Sequence, residues 1–175
     1  MRDNIFARLL VVLGINAALG AVYWAIVQYV LATQDMLAPA VLERTEGSPQ
    51  RIAAYLGEVS GAMLQAGLAS LLIAAVLAGV WLILVDLNPP GGPQAARRKR
   101  GSWAGILLAL IVVAMACFWF LLIGAVVEQS LADNVPVYAA IYGIMLAVLG
   151  YWISTGVAVP ASTTVAVPLA RMIRD

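Results

Sequence analysis

Four long apolar stretches alternate with short polar segments along the chain. Each stretch is uncharged over about 20 residues, the length that an α-helix needs to cross the hydrocarbon core of a bilayer. We therefore predict four membrane-spanning helices with bounds of about 9–31, 61–85, 103–127 and 138–159. The predicted fold is an all-α integral membrane protein: a single membrane domain, residues 1–175, built as a four-transmembrane-helix bundle.

The amino-acid composition agrees with this pattern and limits the kinds of functional site that the chain could contain. Of the 175 residues, 63% are hydrophobic and 11% charged, a balance outside the range of soluble globular domains. The chain has no histidine, the commonest metal ligand and the commonest general base near neutral pH, and its one cysteine is Cys117. We therefore expect no catalytic, cofactor-binding or metal site, and we expect that the protein is not an enzyme.

The longest polar break lies between the two apolar halves, at residues 88–102. The prolines and glycines at residues 89–93 oppose a continuous helix, so we predict a linker in water at one membrane face. We expect its basic residues to set the topology, to contact anionic lipid headgroups or to contact a protein partner. The run is too short and too close to the membrane to predict a nucleic-acid partner. The basic residues are Arg97, Arg98, Lys99 and Arg100.

The distribution of positive charge predicts the orientation. All but two of the 10 Lys and Arg residues fall in the N-terminal segment, the linker or the C-terminal segment; the exceptions are Arg44 and Arg51. Cytoplasmic loops are the basic ones, so we predict that both termini and the linker are cytoplasmic in a bacterial-type inner (plasma) membrane. The segment 32–60 is then extracytoplasmic. In it, Ser48 and Pro49 are typical of a helix start and predict a small helical cap.

Small residues recur at helical spacing on the first, second and fourth predicted spans. Such stripes let helix backbones approach closely, so we expect these three helices to pack tightly against one another. The stripes are Gly14, Ala18, Ala21, Ala25, Gln28 and Ala32 on the first span, Ala62, Ala66, Ser70, Ala74 and Ala78 on the second, and Ala140, Gly143, Ala147, Gly150 and Ser154 on the fourth.

Bulky residues fill the third span, so we expect that helix to face lipid or a partner protein. Its triplet Phe118, Trp119 and Phe120 points in three directions, which places at least one ring outward. Aromatic residues at the cytoplasmic boundary predict an interfacial belt. The belt residues are Trp81, Trp103, Tyr151 and Trp152.

Amide side chains are the clearest polar signals inside the spans, because an amide in lipid needs a hydrogen-bond partner. We predict interhelical polar contacts for Asn16, Gln28 and Gln65, and we expect the two glutamines to be neighbours. The hydroxyls of Ser154 and Thr155 are weaker signals because they can bond to their own helix.

Two functions from different classes remain open. The first is a non-catalytic accessory or scaffold subunit of a larger inner-membrane complex, whose partners are membrane lipids and other membrane protein subunits. The alternative is a small homo-oligomeric channel or transporter for ions or small solutes. A channel needs the polar side chains to converge on a wet path, whereas a scaffold buries or scatters them. The candidate lining residues are Asn16, Gln28, Gln65, Ser154 and Thr155.

Overall fold

The computed structural model describes residues 5–32, 48–126, 135–168 and 170. These residues contain no strand, and each of the four α-helices includes a stretch long and apolar enough to cross a membrane. The prediction of an all-helical chain with four such helices is therefore confirmed. The elements are α1 (Ile5–Ala32), α2 (Pro49–Leu87), α3 (Pro93–Val126), α4 (Val135–Ala158) and a 3-10 helix (Ala161–Ala166).

The helices form a four-cornered bundle with α2 and α4 on its short diagonal. Each of these two helices packs against the other and against both α1 and α3, while α1 and α3 lie at opposite corners. The apolar stretches of α2 and α4 are accordingly the more buried ones. The outer surfaces of α1 and α3 are therefore the largest faces that the bundle leaves open.

The break between α2 and α3 is shorter than the predicted linker. Asn88 is the C-cap residue of α2, and its backbone N–H donates a hydrogen bond to the Leu84 carbonyl. The next helix, α3, already begins at Pro93. Proline fits the first position of a helix, where its missing N–H costs nothing. The following Gln, Ala, Arg and Lys residues are good helix formers. The four basic residues therefore lie on α3, in the same helix as the apolar span.

The predicted extracytoplasmic segment is described only from Ser48 onward, and residues 33–47 lie outside the described part. Ser48 is the N-cap residue of α2 and Pro49 its first residue, as predicted, although the Ser48 side chain makes no capping hydrogen bond. The α2 helix has 39 residues, about 58 Å at 1.5 Å per residue, which is longer than a bilayer core. Its first turns precede the apolar stretch Ser60–Leu87.

The small-residue stripes of α2 and α4 face the interior, as predicted. All five stripe positions on α2 are buried, and on α4 only Ala140 is half-buried. The prediction for α1 is wrong within this chain, because the five stripe positions from Gly14 to Gln28 are exposed. The interior side of α1 is instead formed by Val12, Asn16, Gly20, Tyr23 and Val27.

Two aromatic rings pack directly on glycine backbones at one end of the core. The Tyr23 ring of α1 covers Gly67 of α2, and its hydroxyl donates a 2.9 Å hydrogen bond to the Met63 carbonyl. The Phe118 ring of α3 covers Gly143 of α4 in the same way. Because a glycine has no side chain, each ring occupies the space that a Cβ atom would need.

The residues after α4 fold back on the bundle. Pro160 precedes the 3-10 helix, which packs against α3, and Thr163, Ala166 and Val167 are buried. The indole Nε1 of Trp152 donates to the Pro168 carbonyl at 2.7 Å. The segment between the two prolines is thus neither a fifth spanning helix nor a free tail.

We expect Gly67→Ala and Gly143→Ala to destabilise the bundle. The added Cβ would lie 2.0 Å from Tyr23 Cε1 in the first variant and 2.2 Å from Phe118 Cζ in the second, so buried rings must move. Overpacking of this kind typically costs about 1–3 kcal/mol. Gly57→Ala on α2 is the matched control, because a Cβ there has no atom within 4 Å. The midpoint of unfolding in mixed detergent micelles measures the difference, and equal midpoints for Gly57→Ala and Gly67→Ala would contradict this packing.

Candidate functional site

Asn16 places a carboxamide in the interior between α1 and α4. Its Nδ2 donates to Ser154 Oγ at 3.0 Å and to the Val12 carbonyl at 2.9 Å. A Cβ on Gly150 would lie 2.5 Å from Asn16 Oδ1, so the amide fits against α4 only because residue 150 is a glycine. Asn16 Oδ1 is buried and has no hydrogen-bond partner among the described residues. The amide therefore joins α1 to α4.

A second buried polar group joins α3 to α4. The Trp103 indole Nε1 donates to Thr155 Oγ1 at 3.0 Å, and the Tyr151 hydroxyl donates to the Trp103 carbonyl at 3.3 Å. The two aromatic rings lie 5.5 Å apart between centroids. The prediction that these aromatics form an interfacial belt is wrong for Trp81, Trp103 and Tyr151, which are buried, because their rings fill the space between helices rather than contact lipid.

The basic start of α3 is tied to the rest of the chain through two of its four cations. Lys99 Nζ donates to the Asn88 carbonyl at the end of α2. Arg100 donates through its guanidinium to the Val165 carbonyl, at 3.1 Å, in the 3-10 helix. These side chains hold the short turn and the C-terminal segment against α3, whereas Arg97 and Arg98 make no hydrogen bond or ion pair with another described residue. The four residues therefore have two different structural roles.

A surface ion pair joins α1 to the same end of α2. Arg8 approaches Asp86 with 3.5 Å between guanidinium nitrogen and carboxylate oxygen, and the Asp86 side chain is 50% exposed. An exposed pair of this kind contributes about 0–1 kcal/mol. It is a helix-end contact rather than a charged group in a dry interior.

The outward face of α1 combines small residues with one amide. Gly14, Ala18, Ala21 and Ala25 are exposed, and a Cβ on Gly14 would meet no atom within 4 Å. Gln28 is exposed on the same side. In hydrocarbon such a face permits close approach of another helix, and the amide would gain from a polar partner. We call the face formed by these five residues the α1 outer face.

Gln65, on α2, is also exposed. No hydrogen bond joins its side chain to that of Gln28 within the described chain, and the expected neighbourhood of the two glutamines stays a prediction. Neither amide lies in the interior with Asn16, Ser154 and Thr155. The sequence-predicted polar residues thus divide into a buried group and a surface group.

The aromatic triplet of α3 divides in the same way. Phe118 is buried against Gly143, whereas Trp119 and Phe120 are 65% and 74% exposed. Two large rings on one helix therefore face outward, where they are available to lipid or to another protein.

Potential metal ligands do not gather among the described residues. Within them, no group of three or more His, Cys, Asp or Glu side chains is placed to hold a metal ion. Cys117 is a free, half-buried thiol on α3. The buried polar side chains described above join helices to one another.

Sequence reasoning missed the partners of the buried polar groups. Ser154 and Thr155 each accept a hydrogen bond from another helix. The Thr155 hydroxyl also donates to the Tyr151 carbonyl of its own helix at 2.8 Å, as its residue type allows. Matching depths could have paired Asn16 with Ser154, since both lie near the end of their spans that faces the α2–α3 turn. The contact of Arg100 with the 3-10 helix has no signal in residue type or spacing.

Comparison with protein-family models, curated proteins and solved structures finds no match to this chain. The fold and the residues described above are therefore the basis for a functional proposal.

Proposed function

We propose that this chain is a non-catalytic accessory or scaffold subunit of a larger membrane protein complex, packing through its helices against partner subunits and lipid. The α1 outer face carries the proposal. A helix at the corner of a small bundle normally turns its small residues toward its neighbours, because lipid gains little from packing against them. In this chain α1 turns them outward, where a second protein could approach.

The distribution of polar groups adds support. Asn16, Ser154 and Thr155 are buried in contacts between helices, and their hydrogen bonds stabilise the bundle. Gln28 and Gln65 lie on the outer surface. Polar side chains that are buried between helices or scattered over the surface favour a scaffold over a pore formed by a single copy of the chain.

For orientation, we propose cytoplasmic termini, a cytoplasmic α2–α3 turn and a bacterial-type inner membrane, with a small extracytoplasmic cap between α1 and α2. The basic residues at the start of α3 favour this arrangement.

Labelling of a cysteine in the α2–α3 turn tests the orientation. We expect Gly91→Cys in a Cys117→Ser chain to react with a membrane-impermeant maleimide in inverted membrane vesicles and not in intact cells, because Gly91 is exposed in the turn. Reaction in intact cells, with a buried control such as Ala74→Cys unlabelled, would place the turn on the exterior and reverse the topology.

Substitution on the α1 outer face tests the scaffold proposal. We expect the wild-type chain, purified in mild detergent, to have the mass of a complex with other polypeptides in fixed ratio. Ala21→Phe should abolish that association because a large ring prevents close approach. Val76→Phe is the matched control, since Val76 is exposed on α2 and lies away from this face.

Each outcome of the mass measurement has a defined meaning. Loss of the partner in Ala21→Phe and its retention in Val76→Phe support the subunit. A pure homo-oligomer that Ala21→Phe disrupts would favour the alternative of a small channel or transporter, with the exposed Gln28 and Gln65 between copies. A wild-type chain that is always a lone monomer would contradict both.

A further inference from the structure

The four basic residues on α3 differ in what they contact. Lys99 and Arg100 donate to carbonyl groups of the α2–α3 turn and the 3-10 helix. Arg97 and Arg98 are exposed, and neither forms an ion pair or hydrogen bond with another described residue. Two guanidinium groups are therefore available to an anion from outside the chain.

A recess lies directly beside this arginine pair. At 100° per residue, Arg97 and Arg98 share one helix face with Gly101 and Gly105. Both glycines are exposed, and a Cβ at either one would have no heavy atom within 4 Å. Large apolar side chains resume on this face at Leu108, which is 63% exposed. The face thus has two cations above a shallow apolar recess, which we define by Gly101 and Gly105.

Helix continuity places the arginine pair at the depth of lipid phosphates. Arg98 and Arg97 precede Gly101, the first residue of the uncharged stretch of α3, by three and four residues, which is about 4.5 and 6 Å along the helix axis. The headgroup layer on each side of a bilayer is about 5–7 Å thick. The guanidinium groups therefore lie in the headgroup layer on whichever side the turn faces.

The positive charge of Arg97 and Arg98 favours an anionic ligand on this face of α3 over a second copy of the chain. Glycines four residues apart also permit close packing of two helices. Copies of this chain inserted in the same direction, however, would bring Arg97 and Arg98 against the same residues of the other copy, and like charges repel. A phosphate group is complementary in charge and can accept paired hydrogen bonds from guanidinium groups.

We propose that α3 binds an anionic phospholipid, with its phosphate on Arg97 and Arg98 and its acyl chains along the Gly101 and Gly105 recess. This inference deepens the lipid contact within the proposed function. It rests on α3 crossing a membrane and needs no partner subunit, so a failure of the scaffold proposal would leave it standing.

Native mass spectrometry of the purified full-length chain tests the proposal. The chain is reconstituted with equimolar phosphatidylglycerol and phosphatidylcholine, and retained lipids of each type are counted. A basic residue near the membrane surface is worth about fivefold in affinity for anionic lipid. Arg97→Gln with Arg98→Gln should therefore lower the phosphatidylglycerol preference by about 25-fold.

Two controls separate a site from general charge attraction. Lys99→Gln with Arg100→Gln removes the same charge from the same helix and should lower the preference several-fold less. Gly105→Leu changes no charge, and its Cβ would have no heavy atom within 4 Å, yet it should reduce phosphatidylglycerol retention by filling the recess.

Three lipid-retention results would overturn the proposal. They are equal retention of the two lipids by the wild-type chain, an equal loss of preference in the two double variants, and unchanged retention in Gly105→Leu. A dimer that forms through this face in place of bound lipid would also contradict it. A cooperative unfolding transition in each variant verifies that it remains folded.

Discussion

Lipid chains are as apolar as leucine, so burial of apolar side chains does little to drive helices together within a membrane. Association depends instead on how closely the backbones approach and on the few polar groups that need a partner. In this bundle the approach is set by the small-residue stripes of α2 and α4, which lie on the short diagonal and contact every other helix. Tyr23 on Gly67 and Phe118 on Gly143 then attach the two corner helices.

The polar contacts follow from this close approach. Asn16 reaches Ser154 because Gly150 leaves room for its carboxamide, and Trp103 reaches Thr155 across the α3–α4 contact. Each bond joins a corner helix to the central diagonal. The bonds fix the rotation of α1 and α3 about their own axes, and therefore determine which of their faces remain outside.

Hydropathy and small-residue periodicity predict much of this architecture. The four apolar helices and the inward stripes of α2 and α4 follow from residue type and spacing alone. The rotation of α1 does not, because a stripe such as Gly14, Ala18 and Ala21 has the same period whether it faces a neighbour within the chain or one outside. The start of α3 was misplaced because the cluster of prolines and glycines at residues 89–93 ends there, whereas the charged residues that follow are good helix formers.

The buried partners were harder to predict than the helices. Residue type marks Asn16 as needing a partner, but identifying Ser154 requires the relative depth and rotation of two helices. The contact of Arg100 with the Val165 carbonyl depends on how the C-terminal segment folds back, and a carbonyl carries no residue-specific signal.

The proposed partner contact and the proposed lipid contact lie on two outward surfaces of the bundle. The α1 outer face is uncharged and small, which suits a closely packed protein helix. The corresponding face of α3 begins with Arg97 and Arg98 and continues into exposed apolar side chains, which suits a lipid. If α1 were rotated by half a turn, its small residues would be buried against the other helices of the same chain, and the proposed partner surface would not exist.

Short-range cross-linking between α1 and α4 in native membranes tests that rotation most directly. In a Cys117→Ser chain, Asn16→Cys with Ser154→Cys is compared with Ala18→Cys with Ser154→Cys, using a short bifunctional thiol reagent. The account predicts efficient cross-linking of the first pair and little of the second, because Asn16 faces Ser154 and Ala18 faces outward. Preferential cross-linking through position 18 would contradict it.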